Sequence, residues 1–476
     1  MEANTHLYIN NIYIKIDTND MSVLKLISNK FRFRPSGYKW MPAFKHGAWD
    51  GYVKLFDVRT HTIYTGLLSQ IEDTLKFNGN DYTLSWHDLP DNLERIDYSM
   101  PFDLYDYQEN AIQHILTNHR AVCLSPTGSG KSAIIYSLIR HWENIPGKTL
   151  LIVPNITLVN QMQSDFLDYS ENDNTFNSDD LHLIKGSTPK DDKANLYIAT
   201  WQSLLQIIKR PSEYEGYWEQ FSSVLVDEAH GAAASSITKI MDHLNCPRRV
   251  GLTGTLSSTD MKVSGMQLVG MFGPVYKTTT TAELMDNNRL SKLLINCILL
   301  DYNMNMKFNT YHEEIEYLTN NEKRVYFVSM LATMQKNNTI ILFNHIHHGE
   351  LILEECKKMG DKNIYWISGK TPGEERERIR KQVELEENCI LVGGVSVIGT
   401  GFSVKNIHNM ILAHPGKSRI RTLQSIGRSL RKLDNKKEAT IYDISDYFKY
   451  GKNHLKARIA HYKSENFNYN LRTIDV

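Results

Sequence analysis

Between Ala121 and Val226 the apolar residues fall in short unbroken runs: Ala121–Leu124, Thr149–Pro154, Leu181–Ile184, Leu196–Thr200 and Ser223–Val226. Runs without polar alternation mark strands buried on both faces, and the segments between them, Asn155–Phe166 and Ser203–Ile208, have helical character. This order predicts a parallel α/β sheet with helices on both sides. A second block of the same kind starts near Leu290, with strands at Thr339–Phe343, Ile364–Ile367, Cys389–Val392, Met410–Ala413 and Thr440–Asp443. Its helices are expected at Asn320–Lys336, His348–Lys358, Glu374–Glu386 and Thr422–Lys432.

The ends of the chain read differently. His6–Ile16 alternates in part, as a strand or hairpin does, and Asp20–Asn29 fits a short helix capped by Asp20 or Ser22. Lys30–Gly51 interleaves Arg and Lys with Phe, Tyr and Trp, including Lys39 and Trp40. Such a stretch either contacts phosphates and stacks bases, or forms a solvated hairpin whose rings pack inward. The polar segment Asp88–Met100, with Pro90, sets a boundary. From Tyr447 the chain is basic and aromatic without a strand signal, so a short helical element is expected. The predicted organisation is an N-terminal α/β domain (1–98), two doubly wound lobes (99–289 and 290–446) and a C-terminal helical extension (447–476).

Composition narrows the class. A chain of 476 residues holds roughly three domains. No apolar run approaches a membrane span, and Met1-Glu2-Ala3-Asn4 opens no signal peptide, so a cytoplasmic protein with no membrane partner is expected. The five cysteines, never in Cys-x-x-Cys, read as reduced buried thiols. With 54 basic and 54 acidic residues, whole-surface coating of nucleic acid is excluded but a local basic track is not. Such a track lies at Pro415–Lys437, which includes Lys417 and Arg419. His345, His347 and His348 lack nearby Cys or carboxylate partners and read as a polar helix entry, not a metal site.

The candidate chemistry begins at Ser125-Pro126-Thr127-Gly128-Ser129-Gly130-Lys131-Ser132, between a strand and a helix. Two glycines allow a tight loop whose N–H groups face a phosphate, and the helix N-terminus favours the same anion. Pro126 to Gly130 would cradle ATP, Lys131 would supply a point charge, and Ser132 would supply a Mg2+ ligand. Ser125 departs from the glycine of the strict pattern. Asp227 and Glu228 follow the strand Ser223–Val226, where a second magnesium contact and a water-activating base belong. Arg428 and Arg431, three apart on an expected helix with Gln424 one turn earlier, share a face and suit transferred charge.

These strings resemble the motif set of superfamily 2 helicases. Asp227-Glu228-Ala229-His230 resembles the DEAH form of motif II, and Gln424 to Arg431 resembles motif VI. Tyr105-Asp106-Tyr107-Gln108 is similar to the adenine-reading Q motif, which implies ATP contacts for Tyr105 and Gln108. Ala199 to Ser203 resembles a nucleic-acid-contacting motif and implies that role for Thr200 and Gln202. Thr253-Gly254-Thr255 resembles motif III, implying with His230 a coupling role. Val395 to Phe402 resembles motif V, implying DNA contact for Thr400 and ATP contact for Gly401, although the acidic residue often found near Ser403 is missing.

A closer likeness covers nearly the whole chain. Gly37 to Pro42, Gly47 to Gly51, Met271 to Tyr276 and Glu465 to Tyr469 resemble the phage UvsW helicase family. That resemblance implies two RecA-like lobes, and an ATP- and Mg2+-dependent motor that remodels branched DNA in recombination, repair and replication by branch migration, fork regression, and D-loop and R-loop unwinding. A restriction-complex motor, an RNA-duplex helicase and a nucleotide-gated clamp remain open at this point.

Overall fold

The computed structural model describes residues 4–476 except 36, 88–99, 144, 172–175, 177, 187–192, 231–234, 255, 257–263, 305, 399–403, 405 and 415–437. Contacts divide the chain into two units, one of residues 1–125 and 130–278, the other of 126–129 and 279–476.

In the first unit the unbroken apolar runs form a seven-stranded parallel sheet. Its order is Val275–Lys277, Arg120–Leu124, Arg248–Thr253, Phe221–Val226, Lys148–Val153, Leu196–Thr200 and Leu181–Ile184. The two central strands feed two cores: Leu150, Ile152, Val224 and Val226 enter one cluster, while Leu151, Val153 and Leu225 enter the other. Because side chains alternate across a sheet, burial on both faces requires an apolar residue at every position. Parallel pairing also brings the C-terminal ends of all the strands to one edge, where Ser125, Asp227 and Gly254 begin their loops.

The N-terminal module has its own four-stranded sheet, ordered Thr62–Tyr64, Tyr13–Thr18, Thr5–Ile9 and Tyr82–Trp86. The expected hairpin is the antiparallel pair Thr5–Ile9 with Tyr13–Thr18, and the helix Met21–Lys30 starts at Asp20, whose carboxylate accepts from the Ser22 N–H. The module is locked to the first sheet. The Tyr13 and Tyr64 hydroxyls both donate to Asp242 Oδ1 at 2.9 Å, and the buried guanidiniums of Arg120 and Arg249 both donate to the Asn11 carbonyl. Gly66 lies so close to the helix Ser264–Phe272 that any Cβ there would run into the Val269 carbonyl.

The second unit carries another seven-stranded parallel sheet, ordered Ile364–Ile367, Ile390–Gly394, Thr339–Phe343, Asn409–Leu412, Glu438–Asp446, Lys292–Asp301 and Asn468–Asp475. The last strand corrects the expectation of a purely helical C-terminus. The helix Lys449–Ser464 is present, but the chain then returns as an edge strand paired with Lys292–Asp301. Asn468, Asn470, Leu471, Arg472 and Thr473 are exposed on it, so no burial pattern marks it in the sequence. The helix is pinned at both ends. Glu314 accepts from the N–H groups of Tyr450 and Gly451 at 3.0 and 2.6 Å, a carboxylate at the positive end of the helix. Arg458 makes a bidentate pair with Asp443 at 2.9 and 2.7 Å, and Tyr462 donates to the same carboxylate.

All five cysteines are buried and free. Among the described residues no histidine, cysteine or carboxylate group forms a metal cluster, and no helix is long and apolar enough to cross a membrane. His345 stands at the entry of the helix Ile346–Met359, and His348 is buried, with Nε2 3.2 Å from an Arg324 guanidinium nitrogen.

Candidate active site

The loop after Leu124 turns through two left-handed glycines, Gly128 at φ +85° and Gly130 at φ +76°. Gly130 then caps the helix Lys131–Trp142, so the helix N-terminus opens at the loop. Space also forbids a side chain at Gly130, because a Cβ would collide with Gln108 Nε2. Ser125, the departure from the strict pattern, has a structural reason. It is fully buried, its N–H donates to the Thr253 carbonyl at 2.9 Å, and its hydroxyl accepts from Thr278 at 3.0 Å. Inside the loop, Ser129 Oγ donates to the Pro126 carbonyl at 2.6 Å. Lys131 Nζ reaches the Ser125 carbonyl at 3.4 Å.

Gln108 is only 4% exposed and its amide works within the protein. Oε1 accepts from the Tyr105 N–H at 2.9 Å, closing the first turn of the helix Asp106–Asn118, and Nε2 reaches the Gly130 carbonyl at 3.5 Å. The residue singled out for a base contact thus also ties its helix to the phosphate loop. Tyr105 is half exposed and stacks on Tyr107, with ring centroids 5.8 Å apart.

Asp227 follows Val226, with its N–H donating to the Ile152 carbonyl at 2.9 Å. Its Oδ1 is buried and accepts no hydrogen bond among the described residues. Burial and the adjacent Glu228 carboxylate push the Asp227 pKa up to about 6, against the pull of the Lys131 ammonium. A buried carboxylate oxygen without a donor fits a hard cation such as Mg2+. Glu228 adopts a left-handed φ of +51°, an uncommon backbone state for a non-glycine residue. Its carboxylate meets His230 Nδ1 at 3.2 Å, and the same nitrogen lies 3.0 Å from Thr253 Oγ1. Motif II is therefore in direct contact with the strand that carries Thr253.

The nucleic-acid candidates divide. Thr200 is buried and spends its hydroxyl as the cap of the helix Trp201–Ile208, accepting from the Ser203 N–H at 3.3 Å. Gln202 is exposed and leans back to the Pro154 carbonyl at 3.4 Å. Thr255, Thr400, Gly401, Lys417, Arg419, Gln424, Arg428 and Arg431 lie outside the described residues. Sequence reasoning missed Tyr169, whose hydroxyl is 2.8 Å from Ser132 Oγ, and Thr278, because neither belongs to a contiguous motif.

Comparison with known proteins places this geometry in a lineage. The ATP-dependent DNA helicase uvsW of Enterobacteria phage T4 is 34% identical, over 98% of this chain and 98% of its own. The chain belongs to the UvsW helicase family. Three family models follow one another along it: the UvsW helicase N-terminal domain at residues 6–87, the type III restriction enzyme res subunit at 101–258, and the helicase conserved C-terminal domain at 322–432. The crystal structure of T4 UvsW covers 99% of both chains at 32% identity, with a TM-score of 0.49. The type ISP restriction-modification enzyme LlaBIII, solved bound to DNA, shares the fold at a TM-score of 0.59 and 16% identity, over 87% of this chain and 36% of that one.

The UvsW-type N-terminal module holds Lys39 and Trp40, both exposed. Phe31 is 1% exposed as a core residue, whereas Trp40 is 78% exposed. Inward alternation therefore ends with the short strand Arg32–Phe33, before the turn Tyr38–Trp40 and the helix Pro42–Lys45. Arg34 lies over the rings of Tyr52 and Tyr38 at 4.4 and 4.8 Å, Arg32 over Tyr52 at 4.9 Å, and Lys45 over Trp40 at 5.3 Å. Among the described residues rings, not carboxylates, hold these cations, which leaves their charge unneutralised there.

Proposed function

We propose that this UvsW-family enzyme couples ATP hydrolysis to the remodelling of branched DNA: four-way junctions, forks, D-loops and R-loops. Its membership of a family of ATP-dependent DNA helicases supports nucleotide-driven work on nucleic acid. The observation that carries the branched substrate is the patch around Trp40. A large ring exposed for 78% of its surface, beside cations held on aromatic faces, suits an unpaired base stacked next to its phosphate. A duplex interior offers no free base face, and a branch point does.

At the nucleotide site the reading assigns the Gly128 to Gly130 backbone and Lys131 to the phosphates, and Ser132 and Asp227 to Mg2+. The ion, when bound, neutralises phosphate charge. Glu228 takes the proton of the attacking water, and Arg428 and Arg431 stabilise the transferred charge. Tyr105 and Gln108 bound the adenine side, and His230 with Thr253 and Thr255 relays the state of the site. Thr200, Gln202, Thr400, Lys417 and Arg419 are assigned to the DNA backbone, Thr200 through the helix it caps.

The test is ATP turnover stimulated by a four-way junction, linear duplex, single-stranded DNA and duplex RNA. Point substitution is preferable to truncation, since removing the N-terminal module would strip Arg120, Arg249 and Asp242 of their partners. The wild type should respond most to the junction. Trp40→Ala, losing about 1–3 kcal/mol of stacking, should lower junction affinity about 5- to 150-fold while stimulation by linear duplex persists. Equal losses on every DNA would contradict the branch-point reading, and preferential stimulation by duplex RNA would favour an RNA helicase.

A further inference from the structure

Ser132 and Tyr169 meet through their side-chain hydroxyls at 2.8 Å, although 37 residues separate them in the chain. Tyr169 is the last residue of the helix Ile156–Tyr169, and its ring is held on two sides. The Phe102 centroid is 5.0 Å away, and that of Tyr136, one helical turn beyond Ser132, is 5.6 Å away. Packing therefore fixes the phenol against the hydroxyl that the proposed function assigns to the metal. A serine hydroxyl carries one proton and two lone pairs. If one lone pair is to face a cation, the proton must turn away from it, which requires an acceptor that is not itself needed by the metal. Asp227, whose buried Oδ1 meets no donor among the described residues, is reserved for the cation. A phenol oxygen fits the acceptor role, and without a cation the same phenol can donate instead.

We propose that Tyr169 is a positioning residue for the nucleotide-bound magnesium: its hydroxyl accepts the Ser132 proton and turns a Ser132 lone pair toward the ion. The proposal rests on the reading that Ser132 is a metal ligand. Outer partners of metal ligands commonly contribute 10- to 100-fold in metal affinity.

Tyr169→Phe removes the hydroxyl and keeps the ring. Mn2+ affinity of the full-length protein–ADP complex, followed by electron paramagnetic resonance, should fall about tenfold, with metal-free ADP affinity and melting temperature unchanged. Ser132→Ala is the reference. Weakening in both variants supports the proposal. Weakening in Ser132→Ala alone overturns the role of Tyr169, whereas no weakening in either overturns the metal reading of Ser132 and the proposal with it. A parallel loss of metal-free ADP affinity in Tyr169→Phe would reduce the residue to a packing role and also overturn the proposal.

Discussion

Residues at the motif positions of this protein also hold its local structure. Gln108, Ser125, Thr200 and His230 were legible as motif positions, yet the structure shows each also holding its neighbours: a helix start, a loop entry, a helix cap and the contact between motifs II and III. Sequence shows residue type and spacing but not what approaches from elsewhere in the chain. Tyr169 and Thr278 were invisible for that reason. His348 illustrates the same limit and yields a pH prediction. Burial and the neighbouring Arg324 charge hold its imidazole well below the ordinary range. The unfolded chain therefore takes up a proton near 6.5 that the folded chain refuses, so this contribution to stability is fully present above about 6.5 and is lost as pH falls below it. In urea unfolding between pH 7 and 5, the wild type should lose up to about 1.4 kcal/mol per pH unit more than His348→Gln. Identical slopes would show that His348 is not the group that titrates.

Elements buried on both faces announced themselves, because consecutive residues such as Leu150 to Val153 and Val224 to Val226 point alternately into two cores and are all apolar. The edge strand Asn468–Asp475 gave no such signal, since most of its side chains face solvent and its place comes from backbone pairing with Lys292–Asp301. The segment Lys30–Gly51 divides between its two readings: period-two reasoning holds as far as Phe33, with Phe31 buried, and stops applying where the chain turns and leaves Trp40 exposed. The helix Lys449–Ser464 joins the second sheet through Arg458 and Asp443, both buried. Arg458→Met removes the cation and leaves a buried carboxylate with Tyr462 as its remaining side-chain donor among the described residues. A loss of about 3–5 kcal/mol is expected, seen as a lowered unfolding midpoint of the second unit. A change below about 1 kcal/mol would mean that the pair adds little beyond packing.

For the whole molecule, the two-sheet architecture and the nucleotide loop followed from pattern alone, while the branched-DNA reading came from the family resemblance and gains its structural support from an exposed tryptophan. The N-terminal module and the first sheet form one unit, joined through Asn11, Tyr13, Tyr64 and Gly66. The proposed DNA-reading patch is thus built onto the unit that carries Lys131, Asp227 and Glu228. The central claim is that this site hydrolyses ATP to drive work on DNA, with Glu228 as the base. Junction-stimulated ATP turnover by Glu228→Gln tests it most directly, with nucleotide affinity measured on the same sample. The account predicts near-wild-type nucleotide affinity and turnover lowered about 10²- to 10⁴-fold. Turnover within a few-fold of wild type would contradict it.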